Sequence, residues 1–335
     1  SRGARLLSWR LLEYKDARGK ELQAHPGGNP VPGPLDLVTG RTDIDKVLAA
    51  ALFKATESTD GGERTLTFEF SDGLLSATKT IRSIRGQRSF LVDARVTQNG
   101  NPVPVTVTWG PGFGQPSEEE KSLRGYLAPE VVGVDEAGAE TRLPPTALTA
   151  RRTGKFSLLG VENKYFAAIF SREDGRAVDA IADIVGQGAE AQVVVFVTPP
   201  VALTVGAKDY DRLKAIGLGG EKIVPVGSWL GPIVVPLTRA LRAVNARVGN
   251  FGVAIILLTL LISLALSPLR HYSIVSSAKM AKVGPQIRTV QERYKRIPLT
   301  DPRRQQMQQE IQAVYEKNGI DMVKQTAAGC LPMLL

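Results

Sequence analysis

Hydrophobic and polar positions follow three periods along this 335-residue chain. Between residues 64 and 205 they alternate with a period of two, the mark of a half-buried strand. The runs are 65–70 (TLTFEF), 90–96 (FLVDARV), 103–109 (VPVTVTW), 164–170 (KYFAAIF), 191–198 (AQVVVFVT) and 201–205. Turn signals at 71–73 (SDG), 98–102 (QNGNP) and 172–175 (REDG) separate them at the spacing of an all-β sandwich. Prolines within the runs point to edges or irregular ends. Before them, 1–24 mixes short apolar and charged runs, 25–34 (HPGGNPVPGP) is a loop by composition, and 43–54 fits a helix or a strand.

Beyond residue 205 the period becomes helical. A short helix over 210–216 is closed by Gly217, and 229–248 places Leu230, Val234, Leu237, Leu241, Val244 and Val248 at steps of three or four. Arg239, Arg242 and Arg247 lie elsewhere on that wheel, and Pro236 predicts a kink or a late start. Residues 251–269 (FGVAIILLTLLISLALSPL) then have no period, because they hold no charge or amide for nineteen positions. As a helix they reach about 28 Å, close to the hydrocarbon thickness of a bilayer. After this span Met280, Val283, Ile287, Val290, Tyr294 and Ile297 form a coiled-coil seam. Asp301 is placed to cap a further helix with Pro302 at its first position and Met307, Ile311 and Val314 as its stripe. Two helices joined by 298–301 predict an antiparallel hairpin, with a bend at Pro285.

Charge sharpens this division. The net charge of +9 resolves into −1 for residues 1–221 and +10 for 222–335, so the basic character belongs to the membrane-proximal end and suits anionic lipid headgroups better than nucleic acid. Residues 270–324 carry eleven Lys/Arg and five Asp/Glu, which predicts a cytoplasmic segment and places the β region on the exported side. The single cysteine, Cys330, excludes an intrachain disulfide and a Cys-based metal site. His25 and His271 have no ligand partner at helical spacing and read as surface residues. The chain begins without methionine and stops at CLPMLL as another apolar run opens, so both ends are expected to lie within a longer protein.

Candidate chemistry is sparse. GPGFG at 110–114 lacks the ending of a phosphate loop and reads as a turn. SATK at 76–79 and SSAK at 276–279 match a Ser-x-x-Lys pattern without its supporting motifs, and Glu118 and Glu119 sit in a polar stretch that reads as solvated. No zinc, hydrolase or nucleotide fingerprint is present. The chain is expected not to be an enzyme and to bind no cofactor or metal.

Several strings, in order, resemble the YidC family of membrane protein insertases: VGAKDYDRLKAIG at 205–217, SWLGPIVVPLTRALRAVNARVGNFG at 228–252, SPLRHYSIVSSAKMAKVGPQIRTVQERYK at 267–295 and GCLPMLL at 329–335. TKTIRS at 78–83, TWGPGF at 108–113 and NKYFAAIF at 163–170 add a weaker likeness. The resemblance implies a multidomain protein of the bacterial inner membrane. Its parts would be an all-β supersandwich periplasmic domain (1–210), a linker with an interfacial amphipathic helix (211–249), a transmembrane helix (250–269), a cytoplasmic helical hairpin (270–325) and the start of a next span (326–335). It also implies insertion and folding of client membrane proteins through a hydrophilic intramembrane groove. The implied partners are nascent membrane proteins, the Sec translocon, the ribosome and anionic lipids, without direct contact to nucleic acid. In the family an arginine of the groove stands five residues before the proline matching Pro268; here that position is Ser263, and Thr259 matches a position associated with client contact. Thr259 and Ser263 are therefore the candidate groove residues. The alternative reading is a membrane-anchored β-sandwich protein that binds carbohydrate or a partner.

Overall fold

The computed structural model describes residues 2–15, 19–28, 30, 32–84, 89–122, 124–224, 230–295, 301 and 303–318, the side chains of 189, 269, 272, 273, 276, 277 and 279 apart. The chain divides into two compact units, Ser1–Pro225 and Val226–Leu335.

The first unit begins with β1 (Arg10–Lys15), β2 (Glu21–Gln23), β3 (Leu37–Val38) and α1 (Thr42–Ala50). Then follow β4 (Lys54–Asp60), β5 (Glu63–Ser71), β6 (Leu75–Ser83), β7 (Ser89–Gln98), β8 (Asn101–Val103), β9 (Thr106–Trp109) and α2 (Glu118–Ser122). It continues with β10 (Glu130–Asp135), β11 (Glu140–Leu143), β12 (Arg152–Glu162), β13 (Phe166–Ser171), β14 (Val178–Val185), β15 (Gln192–Val197) and β16 (Val201–Ala207). It closes with α3 (Tyr210–Ile216) and a 3-10 turn, Gly220–Ile223.

Fourteen of these strands form one antiparallel sheet in the order β3-β9-β15-β14-β12-β13-β16-β7-β6-β5-β4, with β10, β11 and β8 as side branches. The pivot is β12. Residues 152–156 pair with β14, and 158–162 pair on the same edge with β13, while β10 holds the opposite edge over 156–162. A bulge at Ser157, where Val134 faces Leu158 but Asp135 faces Phe156, sits where the partner changes. The two halves of the sheet wrap one core. Val107, Trp109, Val193, Val195 and Val197 come from one half, and Val92, Ala168, Phe170 and Leu203 from the other.

The central strands are buried on both faces. Val132, Val134, Leu158, Ala167 and Ile169 point away from the main core and pack against Leu213 of α3 and Ile223 of the turn. That explains the unbroken apolar runs VVGV, LLGV and FAAIF, since a strand covered on both sides has no polar phase. The Asp209 carboxylate accepts from the Arg212 N–H at 3.0 Å to start α3, and Gly217, at φ +75°, ends it. On the same side Arg142 pairs with Glu162 and Glu140 and donates to the Ile223 carbonyl at 2.6 Å. Lys208 reaches Glu162 at 3.3 Å. Burial pushes the Glu162 carboxyl above its usual range, and the Lys208 and Arg142 charges pull it back.

Several expectations change. Residues 43–54 resolve as α1 with β4 starting at Lys54. β13 starts at Phe166 because the Asn163 side chain accepts from the Tyr165 and Phe166 amides at 2.9 and 2.8 Å, turning the chain first. The run at 103–109 is split into β8 and β9 at Pro104, which has no N–H for a ladder. His25, expected at the surface, is 2% exposed, and burial lowers its pKa. Its Nδ1 accepts from the Gly27 N–H at 3.0 Å. The Ser76–Lys79 pair is no dyad, because a separation of three in a strand sends the two side chains to opposite faces. Ser76 meets Ser71 at 2.9 Å. Lys79 is wholly buried and donates to the carbonyls of Leu35, at 2.7 Å, and Ala4. Beside it Arg5 grips Asp36 through two hydrogen bonds of 2.9 and 2.8 Å.

A β-carbon at Gly160 would run into the Ala168 carbonyl across the ladder. Gly160→Ala is expected to cost about 3 kcal/mol, read from denaturant unfolding followed by circular dichroism. Burial pulls the Lys79 ammonium down to about 8 from 10.5. The folded state therefore holds fewer protons than the unfolded state between those values, and the penalty for burying the charge, full below pH 8, fades as pH rises to about 10.5. The stability of the unaltered chain is expected to gain on that of Lys79→Met over this window in paired melts, and a constant difference would contradict it.

Candidate functional site

The second unit is helical: α4 (Gly231–Val248), α5 (Phe251–Arg293) and α6 (Arg303–Lys317). α4 starts with Pro232 in its first turn, where the missing N–H costs nothing, and runs through Pro236. Gly249, at φ +70°, ends it by donating to the Asn245 carbonyl at 2.8 Å. Asn250 then caps α5, its Oδ1 accepting from the Gly252 and Val253 amides at 2.8 and 3.3 Å. These two residues make the turn that lets α4 pack against α5. Of the apolar face expected on α4, Val234, Leu241 and Val244 are half-buried, while Leu230, Leu237 and Val248 stay exposed together with Ile233.

α5 carries the span. Phe251–Pro268 is long and apolar enough to cross a membrane. The helix does not stop at Pro268 or bring in a new element at 270. It continues without interruption through Pro268 and Pro285 to Arg293, 43 residues in all. Each proline removes one ladder bond, and the flanking turns hold the helix.

The less exposed positions of α5 all lie on one side. Ala254 is buried and Leu258, Ile262 and Leu266 are half-buried; further on Val283 and Val290 are buried and Met280, Ile287 and Tyr294 half-buried. The second set is the seam expected from the sequence, apart from Ile297, which lies outside the described residues. Facing it, α6 turns Met307, Ile311 and Val314 inward. Glu310 ties the two helices by accepting from the Tyr294 hydroxyl at 2.8 Å and from Arg293 at 3.3 Å, and that bond raises the phenol's pKa. Asp301 accepts from the Arg303 N–H at 2.9 Å, as a cap should. The loop at 298–300, Pro302 and the segment 326–335 with Cys330 also lie outside the described residues.

Thr259 and Ser263 fall on the uncovered side. Both are exposed and one turn apart, and the Thr259 hydroxyl donates to the Ile255 carbonyl at 2.7 Å. At about 100° per residue, Ser267 and Arg270 continue the same stripe, because steps of four, four and three return nearly to the same angle. Both are exposed as well. The stripe lies roughly 135° round from the side covered by α4 and α6. Ser267 lay inside the expected span and Arg270 just past its expected end at 269; neither was named as a candidate, and their spacing from Thr259 was the available signal. Elsewhere, the SEEEK stretch forms the exposed α2, with Ser117 and Glu120 each accepting from the other's amide, at 3.1 and 2.8 Å. GPGFG is a buried turn: Gly110, at φ +132°, lies against the Val193 carbonyl, and Gly112 donates to that oxygen at 2.8 Å. Among the described residues no cluster of His, Cys, Asp or Glu is placed to hold a metal ion.

Residues 243–335, which include α5 and α6, match the family described as 60Kd inner membrane protein. A membrane protein insertase YidC of Anaeromyxobacter dehalogenans is 30% identical over 283 residues, 81% of this chain and 50% of that protein. The chain belongs to the YidC family. The YidC of Syntrophus aciditrophicus is 37% identical over 133 residues, 40% of this chain and 23% of its own length. That of Endomicrobium trichonymphae is 29% identical over 252 residues, 70% of this chain and 44% of its own. The chain thus spans half or less of the length of these relatives. A solved GH36 alpha-galactosidase from Geobacillus stearothermophilus aligns with 59% of this chain and 34% of its own at 11% identity and a TM-score of 0.33, too slight a likeness to bear on fold or chemistry.

If Val283 and Val290 hold α6 on α5, then Val290→Asp, which buries a charge in that seam, should release α6. Hydrogen exchange across 303–317 is expected to speed up by at least about tenfold, while exchange in the β strands stays unchanged.

Proposed function

We propose that this chain is part of a membrane protein insertase, with α5 as a wall along which the hydrophilic segments of clients cross the hydrocarbon. The observation that carries the reading is the stripe Thr259–Ser263–Ser267–Arg270, polar and uncovered on an otherwise apolar spanning helix, within the segment that matches an inner membrane protein family. A polar groove wall lowers the penalty, several kcal/mol for each unsatisfied group, that lipid imposes on a crossing polar segment. The client's apolar helix meets only the neighbouring lipid-facing side chains.

Ser263 donates one hydrogen bond but supplies no charge. Arg270, about 10 Å along the axis, is the first cation on that face and takes the electrostatic role toward acidic client tails. The β unit is read as a supersandwich on the periplasmic side; the handover of the β12 edge between β14 and β13 supports two stacked layers. α4 lies in the headgroup plane with Leu230, Ile233, Leu237 and Val248 in lipid, and the basic hairpin of α5 and α6 faces the cytoplasm and its anionic lipids. Nascent membrane proteins are the clients, and the Sec translocon and the ribosome are the assemblies beside which the protein works. No catalytic step and no cofactor enters this mechanism.

The test is complementation of an insertase-depleted strain with the full-length protein. The unaltered protein is expected to restore insertion of small membrane proteins. Arg270→Gln should slow clients with acidic tails more than clients with neutral ones, and adding Ser263→Arg should restore them. Equal rates for both client classes in Arg270→Gln would remove the arginine from the mechanism, and failure of the unaltered protein to rescue would remove the insertase reading itself.

A further inference from the structure

At the far end of the sheet β4 pairs with β5 and, among the described strands, with nothing else. All seven of its residues, Lys54–Asp60, are exposed. A strand edge of this length presents a row of backbone donors and acceptors without ladder partners, ordinarily deterred from pairing by its charges. The order of charges here is different in kind. Read as K-A-T-E-S-T-D, the strand has a cation at one end, an anion at the other and polar or small residues between, arranged about Glu57.

We propose that the free edge of β4 is a two-fold interface between copies of this chain. An antiparallel pair centred on Glu57 sets Lys54 opposite the partner's Asp60 at both ends, Thr56 opposite the partner's Ser58 and Ala55 opposite the partner's Thr59. Lys54, Thr56, Ser58 and Asp60 share one face of the sheet, so both ion pairs and the hydroxyl pairs form on that face. A parallel pairing in register would put Lys54 on lysine and Asp60 on aspartate. At the centre Glu57 meets the partner's Glu57, but Arg64 on β5 already donates to each carboxylate from its own sheet, with Nε at 2.9 Å, so each central anion carries its own counterion. The surface is self-complementary, as a two-fold contact requires, and it joins the two sheets into one.

Cross-strand neighbours place their β-carbons about 5 Å apart, within reach of a disulfide. The full chain, in membrane vesicles and with Cys330→Ser removing the native thiol, is given a single cysteine by Glu57→Cys and exposed to mild oxidant. A crosslinked dimer is expected from Glu57→Cys. Ala55→Cys and Thr59→Cys should each give little alone and a dimer when mixed. Asp60→Lys should lower the Glu57→Cys yield by about tenfold, and Lys54→Asp together with Asp60→Lys should return it. No dimer at Glu57→Cys, equal yields at all three positions, or a yield indifferent to the charge reversal would overturn the interface and leave the edge charges as a guard against pairing.

Discussion

An apolar helix with nothing around it does not persist in water, and that constraint governs the second unit. Ile255, Ile256, Leu257, Leu260, Leu261 and Leu264 are all more than two-fifths exposed in the isolated chain. At roughly 1.5–3 kcal/mol per side chain, covering them is worth about 10 kcal/mol or more, as much as the whole stability of a typical domain. Neither α4 nor α6 covers them. In lipid they need no such cover, and there the ranking of the residues reverses: Thr259, Ser263 and Ser267 become the exceptions that need a partner. The Thr259 hydroxyl satisfies itself on the Ile255 carbonyl. Self-satisfaction lowers what that hydroxyl costs in hydrocarbon.

The β unit solves the opposite problem, how to keep charge inside. Lys79 and Glu162 are both almost without solvent contact, and each is held differently. Glu162 has two cations, Arg142 and Lys208, so the cluster is a neutralised ion group whose removal in part would leave an uncompensated charge. Lys79 is stripped of water by burial, which pulls its affinity for a proton down, and it has only carbonyl oxygens and a neighbouring Arg5–Asp36 pair, whose charges oppose each other, in place of a direct counterion. Both devices fasten segments that have little ladder of their own: Lys79 the stretch around Ala4 and Leu35, Arg142 the turn at Ile223.

How far the sequence revealed this follows from what each residue faces. β5 and β7 were legible because one face is covered and the other wet, and alternation records that difference. β10 and β12 were not, because α3 and its following turn bury the second face and erase the polar phase. β4 was invisible for the converse reason: KATESTD buries neither face, so no apolar residue marks its period. The seam of α5 was readable to the residue, since knobs on one side of a helix leave a strict spacing. Along the polar stripe Thr259 and Ser263 came from likeness to a family, while Arg270 lay past the end expected for the span at 269, which only the continuity of α5 moves.

That continuity through Pro268 has a mechanical consequence. A helix of 43 residues is about 64 Å long, far more than a bilayer's hydrocarbon, so one continuous helix carries both the polar stripe and the seam that holds α6. Because the stripe and the seam lie on different sides of that helix, α6 packs without covering Thr259, Ser263 or Arg270. A rotation or tilt of α5 forced at one end travels toward the other along this backbone. The two prolines, each with one ladder bond missing, are the points at which such a movement is least resisted, and both lie between the stripe's last hydroxyl, Ser267, and the seam's second half. A displacement at the α6 end therefore reaches the membrane stripe only as far as the turns at Pro268 and Pro285 stay stiff.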